Sequence, residues 1–228
     1  MSTAPSEAGP DGLKLLERGQ VEPPTARGRA TRAKLVAAAE RCFAESGFDG
    51  TTVAAIAAAA DVSHGNFYRH FADKDQALIA VIAGLYGNLR SASGAEVGGG
   101  DATEPTLAGL TRRNIAFFRN YAERRHLFRV TREAAARPDA DEFRDMWLTI
   151  RQLFVTRSAR WIRKCQAAGQ VTDRLNADEI AAALGAMTEQ MAYVELGLAK
   201  TEPTRAAVDR LGETSGLIWH RVLTCETA

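Results

Sequence analysis

Between Thr51 and Lys74 the chain concentrates side chains that can hydrogen-bond a polyanion. They are the hydroxyls of Thr51, Thr52 and Ser63, the imidazoles of His64 and His70, the Asn66 amide, the Tyr68 phenol, and the cations Arg69 and Lys74. Donors, an aromatic ring and positive charge in one short stretch suit base edges in a major groove and the phosphates beside it. Gly65 lets a helix backbone approach such a partner closely. Lys74 falls where a helix begins, a poor place for a cation against the helix dipole unless a phosphate answers it. Upstream, Arg27, Arg29, Arg32 and Lys34 form a basic cluster. It reads either as a solvated helix face or as an arm lying on a phosphate backbone or in a minor groove.

Enzymatic chemistry is poorly served by comparison. His64, His70, His126 and His220 lack metal-ligand spacing, and His64 with His70 is not an i, i+4 pair. No G-x-S-x-G, Walker-type or G-x-G-x-x-G segment is present, and Gly98-Gly99-Gly100 reads as a loop. Asp139, Asp141 and Glu142 follow Pro138 and complement the dipole of a helix start. Cys42, Cys165 and Cys225 are too few and too scattered for a disulfide framework or a zinc site. No cofactor and no metal are implied. A helical enzyme or scaffold stands only as the alternative, and a scaffold needs neither the polar 64–70 face nor the basic cluster.

The elements that position these residues are helical. With 228 residues the chain can bury roughly 70% of its unfolded surface and needs no staples. Charge is balanced, 29 Lys and Arg against 28 Asp and Glu, so any nucleic-acid contact rests on a local patch. Met1 to Pro10 has neither the cationic start nor the apolar stretch of a signal peptide. Ile180 to Leu198 is interrupted by Thr188, Glu189, Gln190 and Glu195 and does not read as a membrane span. A soluble, cytoplasmic protein is the expectation.

No alternating strand pattern occurs, and from Arg29 onward the period is helical. Residues 1–26, rich in Pro, Gly, Ser and Glu, read as a flexible extension or, failing that, a docking helix. The first helix is expected from Thr31 to Ser46 on the stripe Leu35, Ala39, Cys42 and Phe43, stopped by Gly47. Thr51 and Thr52 cap a short helix carrying Val53, Ile56, Ala57 and Ala60. After a tight break at Asp61-Val62, Ser63 caps a second, expected to reach Phe71. Asp73 with Gln76 opens the next helix, bearing Leu78, Ile82, Leu85 and Leu89. The glycine-rich stretch 91–105 reads as a linker, since each Gly costs about 1 kcal/mol in a helix. Longer helices are expected over 106–135, 140–168, from Asn176 to about 199, and over 204–224.

Helix, three-residue turn, short helix is the helix-turn-helix plan. The run from Thr51 to Lys74, with Phe43-Ala44-Glu45-Ser46-Gly47-Phe48 before it, resembles the signature of the tetracycline-repressor (TetR) family. Asp61 departs from the family's usual Gly at a left-handed turn position, which Asp tolerates at small cost. The resemblance implies an all-α protein with a helix-turn-helix domain over 27–75. A ligand-binding and dimerisation domain would occupy 76–228, with the linker 91–105 inside it. Thr52, Ser63, Asn66, Tyr68 and Lys74 would then meet phosphates, and His64, Gly65 and Tyr68 base edges. Arg27, Arg29, Thr51 and His70 complete the expected DNA-binding set.

The same resemblance implies a homodimer reading a palindromic operator, released by a small lipophilic or amphipathic effector through the helix 73–90. Phe118, Tyr121, Met146, Trp147, Ile150, Met187 and Met191 are the expected lining, although any one of them serves equally as core. Arg112, Arg113, Arg151 or Arg157 could meet an acidic head group. Helices 177–199 and 204–224 are the expected dimer faces, with Ala181, Gly185, Tyr193 and Ile218 in them; small residues at this spacing also serve internal packing. Repression is implied by the family, whereas the residues do not separate a repressor from an activator or a drug-efflux regulator.

Overall fold

The computed structural model describes residues 14, 17–92, 105–138 and 140–225. Among them the regular elements are helices: α1 (Ala26–Gly50), α2 (Val53–Ala59), α3 (His64–Tyr68), α4 (Lys74–Ala92), α5 (Leu107–Glu123), α6 (Arg125–Ala135), α7 (Asp141–Ala167), α8 (Ala177–Ala192) and α9 (Arg205–Leu223). A π-helical turn, Tyr193–Gly197, follows α8. None of the described helices is long and apolar enough to cross a membrane. The chain divides into two compact units: the residues through Asn88 with His126–Ile150, and Leu89–Arg125 with the chain from Arg151 on. The division thus falls elsewhere than between 75 and 76, because α4 through Asn88 and the 126–150 segment both belong with the first helices.

In the first unit, α1 begins earlier than its apolar stripe predicts. Thr25 accepts the Gly28 N–H at 3.1 Å, so the cap lies ahead of the basic cluster and places Arg27 to Lys34 inside the helix. The cluster is therefore no extended arm. Gly47, at φ 69°, breaks the helix where the sequence suggests, and only Gly takes that conformation freely. Leu35, Ala39 and Phe43 pack the buried side of the unit with Ile56, Ala57, Phe67 and Phe71. Part of the 1–26 stretch is built into this unit. A Cβ on Gly19 would lie 2.7 Å from that of Ala83, and the Gln20 amide donates to the Ala83 carbonyl at 3.2 Å. The reading of 1–26 as a wholly flexible extension is corrected over 17–26; most of 1–16, like 93–104 of the linker, lies outside the described residues.

In the second unit α5 and α9 touch along two glycines. A Cβ on Gly212 would fall 2.5 Å from the Ile115 Cα, and one on Gly216 would fall 2.6 Å from the Thr111 Cα. Neither glycine interrupts α9, because the packing they permit outweighs their entropy cost of about 1 kcal/mol each. A buried polar chain crosses the same core. The Trp219 indole donates to Thr188 Oγ1 at 3.0 Å, Thr188 and Ser215 share a hydrogen bond of 3.1 Å, and Ser215 donates to Asn114 Oδ1 at 2.9 Å. The single helix expected over 106–135 is two, parted at Arg124. There the Arg125 guanidinium donates to the Ala199 carbonyl at 2.8 Å, satisfying main chain beyond the π-turn.

Candidate nucleic-acid interface

The reading face is built by caps. Thr52 accepts the Ala55 N–H at 3.1 Å and Ser63 accepts the Asn66 N–H at 3.3 Å, so each hydroxyl fixes the start of a short helix. Between them the chain turns through Asp61 at φ 54°. The Val62 N–H reaches the Ala57 carbonyl and the Asp61 N–H reaches that of Ala58, at 3.0 and 3.1 Å, which is the Schellman closure of α2. Asp therefore does what the family's glycine does. Phe67 is buried and turns α3 so that Ser63, His64, Gly65, Tyr68 and Arg69 are exposed, with Asn66 and His70 half-buried. Tyr68 is 51% exposed and meets the His64 ring edge-on at 5.2 Å, which orients both rings. A Cβ on Gly65 would touch nothing, so its use is to leave room for an incoming surface. The helix ends at Tyr68, short of the expected Phe71.

Two expected contacts do different work. The Thr51 side chain is 2% exposed and its hydroxyl donates toward the Gly47 and Cys42 carbonyls at 2.7 and 3.0 Å. It bolts the end of α1 and is not available to a phosphate. The Lys74 ammonium donates to the carbonyls of Phe48 and Thr51 at 2.9 and 3.2 Å and lies 4.3 Å from the Phe48 ring centroid. Those carbonyls answer the cation at the start of α4.

The positive charge is spent in the same manner. Arg29 donates to the Pro24 carbonyl at 2.8 Å, Arg32 to that of Gly19 at 2.6 Å, and Arg41 to that of Ala59 at 3.2 Å. Burial holds the Arg32 guanidinium below its ordinary value, with Glu22 opposing. Burial, then Arg69 and Arg32, pushes the His70 imidazole below the usual histidine value. Of the cations from Arg27 to Lys74, Arg27, Lys34 and Arg69 are exposed and do not cap main chain in this way. Sequence reasoning missed Arg137, which donates to Asp75 at 2.9 Å and stacks 4.3 Å from the Phe48 ring centroid, across the ring's neighbourhood from α6–α7. Nothing local signals a contact over that separation. Beside it lies a cleft of about 350 Å³ lined by residues 45–50 with Arg129, Glu133 and Arg137.

The expected effector lining falls into both units. Phe118 and Tyr121 are buried in the second, where Met187 and Met191 are half-buried; Met146 and Ile150 are buried in the first, with Trp147 half-buried. Of the expected dimer residues, Ala181 is 1% exposed and part of its own unit's core, so it is corrected to internal packing. Ile218 packs partly on that core, Tyr193 lies against Gly197, and Gly185 is half-buried with open space beside it.

A capped pair of short helices with an outward polar face, carried on a helical body, defines a helix-turn-helix transcription regulator. The chain belongs to the TetR family: residues 35–81 match the bacterial regulatory proteins of the tetR family, and residues 111–221 match the C-terminal domain of the transcriptional regulator EthR. Over 51 residues, 22% of this chain, it is 37% identical to the HTH-type transcriptional repressor AcnR of Corynebacterium efficiens, a match spanning about a quarter (27%) of that relative. The fold resembles GusR of Salmonella enterica at TM-score 0.66 and 21% identity, covering 89% of this chain and 99% of that one. It also resembles SmeT in its triclosan complex at TM-score 0.68 and 20% identity, covering 86% and 93%. At such identities the likeness shows the fold.

Proposed function

We propose that the chain is a homodimeric repressor that inserts α3 into the major groove of each half of a palindromic operator and lets go when a small amphipathic effector binds. The observation that carries this reading is the division of labour around α3. Main-chain satisfaction falls to Thr51, Lys74, Arg29, Arg32 and Arg41, while His64, Tyr68 and Arg69 remain exposed beyond the capped start of the helix. His64 and Tyr68 then read base edges, Thr52, Ser63 and Asn66 meet phosphates, and Arg27 and Arg69 add backbone charge. Two copies on one duplex supply through tethering the affinity that one nearly neutral head lacks. The repressor role is supported by the AcnR match, and an effector by the SmeT complex with triclosan.

In this reading α4 transmits the effector's signal, and α7 shares the task, since its residues through Ile150 belong to the first unit and those from Arg151 to the second. The effector favours whichever state it binds more tightly, and DNA is released from the other. The test is a mobility-shift assay on operator fragments selected from sheared genomic DNA, with His64→Ala and Tyr68→Ala beside wild type. Each substitution should cost roughly 1–3 kcal/mol of operator binding while leaving the helical circular-dichroism signal and melting temperature intact. Wild-type affinity in both would remove α3 from the interface.

A further inference from the structure

One charged side chain of the second unit lacks the partner that its burial calls for. The Arg113 guanidinium lies 5.3 Å from the ring centroid of Trp161 and 4.9 Å from that of Trp219. Its Nη2 donates to the Ser158 hydroxyl at 2.9 Å. Its Nη1 is shut off from solvent and has no hydrogen-bond partner among the described residues. Other cations of the unit do find acids among the described residues: Arg119 with Asp209, Arg151 with Glu189 and Arg163 with Asp178. Arg113 does not.

The surroundings deepen the deficit. From Met146 to Thr172 the sequence holds no Asp or Glu, yet it carries Arg151, Arg157, Arg160, Arg163 and Lys164. Burial first, and the like charge of Arg157 second, push the Arg113 guanidinium down to about 10. It is still a cation at neutral pH, so the folded state bears the cost of desolvating an unpaired charge. Two indole faces offset part of that cost through their ring quadrupoles. They offer no lone pair to Nη1.

A carboxylate supplies both missing things, since it brings a negative charge and two acceptors matched to the guanidinium fork. We infer that Arg113 anchors the acid group of the effector, so that the second unit recognises an amphipathic organic carboxylate. Ser158 is the neutral polar neighbour, and the Trp161 and Trp219 rings flank the guanidinium. This rests on the reading of the chain as an effector-responsive regulator and narrows the effector from lipophiles in general to organic acids. The acid binds by ejecting water from its own charge while completing a charge that the protein already holds dry, which a neutral lipophile cannot do.

The test uses the full chain, with octanoate and benzoate as probes and octanol and benzyl alcohol as their uncharged counterparts. Trp161 and Trp219 make indole emission a built-in reporter. At least one acid should shift emission saturably and raise the melting temperature, and its alcohol should need roughly tenfold or more higher concentration. Arg113→Gln should erase that preference. Arg113→Met without probe should melt higher than wild type, because the unpaired charge is gone. Equal response to acid and alcohol, no response to either, a preference surviving in Arg113→Gln, or a lower melting point in Arg113→Met would each overturn the assignment. A changed subunit number for Arg113→Met in native mass spectrometry would also overturn it, since the missing carboxylate would then belong to a second copy. Retention on sheared genomic DNA at rising salt is scored separately: its loss strikes the regulator reading, whereas acid insensitivity with DNA retention intact strikes Arg113 alone.

Discussion

The α3 face and the α5–α9 core handle polar side chains in opposite ways. On the face, the groups able to read a duplex make few bonds within the protein, and neighbours hold the main chain for them. In the core, Asn114, Thr188, Ser215 and Trp219 spend their hydrogen bonds on one another and on nearby carbonyls, and glycines let backbones nearly touch. A surface that must exchange water for DNA has to keep its donors uncommitted, whereas a core must leave none unmade. Arg113 is a core group that behaves like a face group, and that exception points to a ligand.

The contrast is broken most forcefully at Gly216. Gly216→Val puts branched carbon where a Cβ would already sit 2.6 Å from the Thr111 Cα. It should destabilise by about 3 kcal/mol, the upper part of the range for overpacking, because backbone cannot swing aside. Urea unfolding at constant m-value reads the loss, and a midpoint within error of wild type would mean that the α5–α9 approach is not tight.

Next comes Thr188→Val, which strips the Trp219 indole N–H of its acceptor inside the core. A cost of about 1–3 kcal/mol is expected for the orphaned donor. Replacing Trp219 by Phe in the same background should recover part of it, since both partners are then apolar. Without recovery in that double-mutant cycle, the polar chain is incidental to the packing.

Thr51→Val and Lys74→Met sharpen the comparison at the face. Each should lower stability by about 1–2 kcal/mol by freeing buried or half-buried carbonyls, and leave the salt dependence of DNA binding unchanged. Thr52→Val should lose about 1 kcal/mol of capping and also weaken DNA binding. A Lys74→Met variant of unaltered stability whose salt slope falls by about one unit would return Lys74 to the phosphates.

How much of this was legible in the sequence follows from contact range. Caps and the left-handed turn are local, so Thr52, Ser63, Asp61 and Asn176 could be read from type and spacing, and the structure uses each as such. Thr25 is local too, since a threonine ahead of a helical period is a cap signal, but the charge of the cluster behind it is the stronger pattern in the sequence. Thr51 looked like its neighbour Thr52; only the kink at Gly47 folds carbonyls onto its hydroxyl. The attachment of 126–150 to the first unit, the Arg137–Asp75 pair and the setting of Arg113 depend on partners far along the chain, for which helical periodicity carries no information.

His70 gives the smallest effect and the finest division between the two regions. Its imidazole is held below the unfolded value of about 6.5 by desolvation and by Arg69 and Arg32. The unfolded chain therefore binds a proton that the folded chain resists. Stability is whole above that unfolded value and declines as pH falls from it toward the folded one, and His70→Gln should flatten that limb of a melting-temperature profile between pH 7.5 and 5.5. Bound DNA should act the other way, because a phosphate near His70 favours the charged imidazole. If His70 lies at the backbone, acidification should then steepen the dependence of DNA affinity on salt by at most about 0.9 per protomer, in wild type and not in His70→Gln. Identical slopes at both pH values would leave His70 as a neutral support beneath α3, and the reading face would end at Arg69.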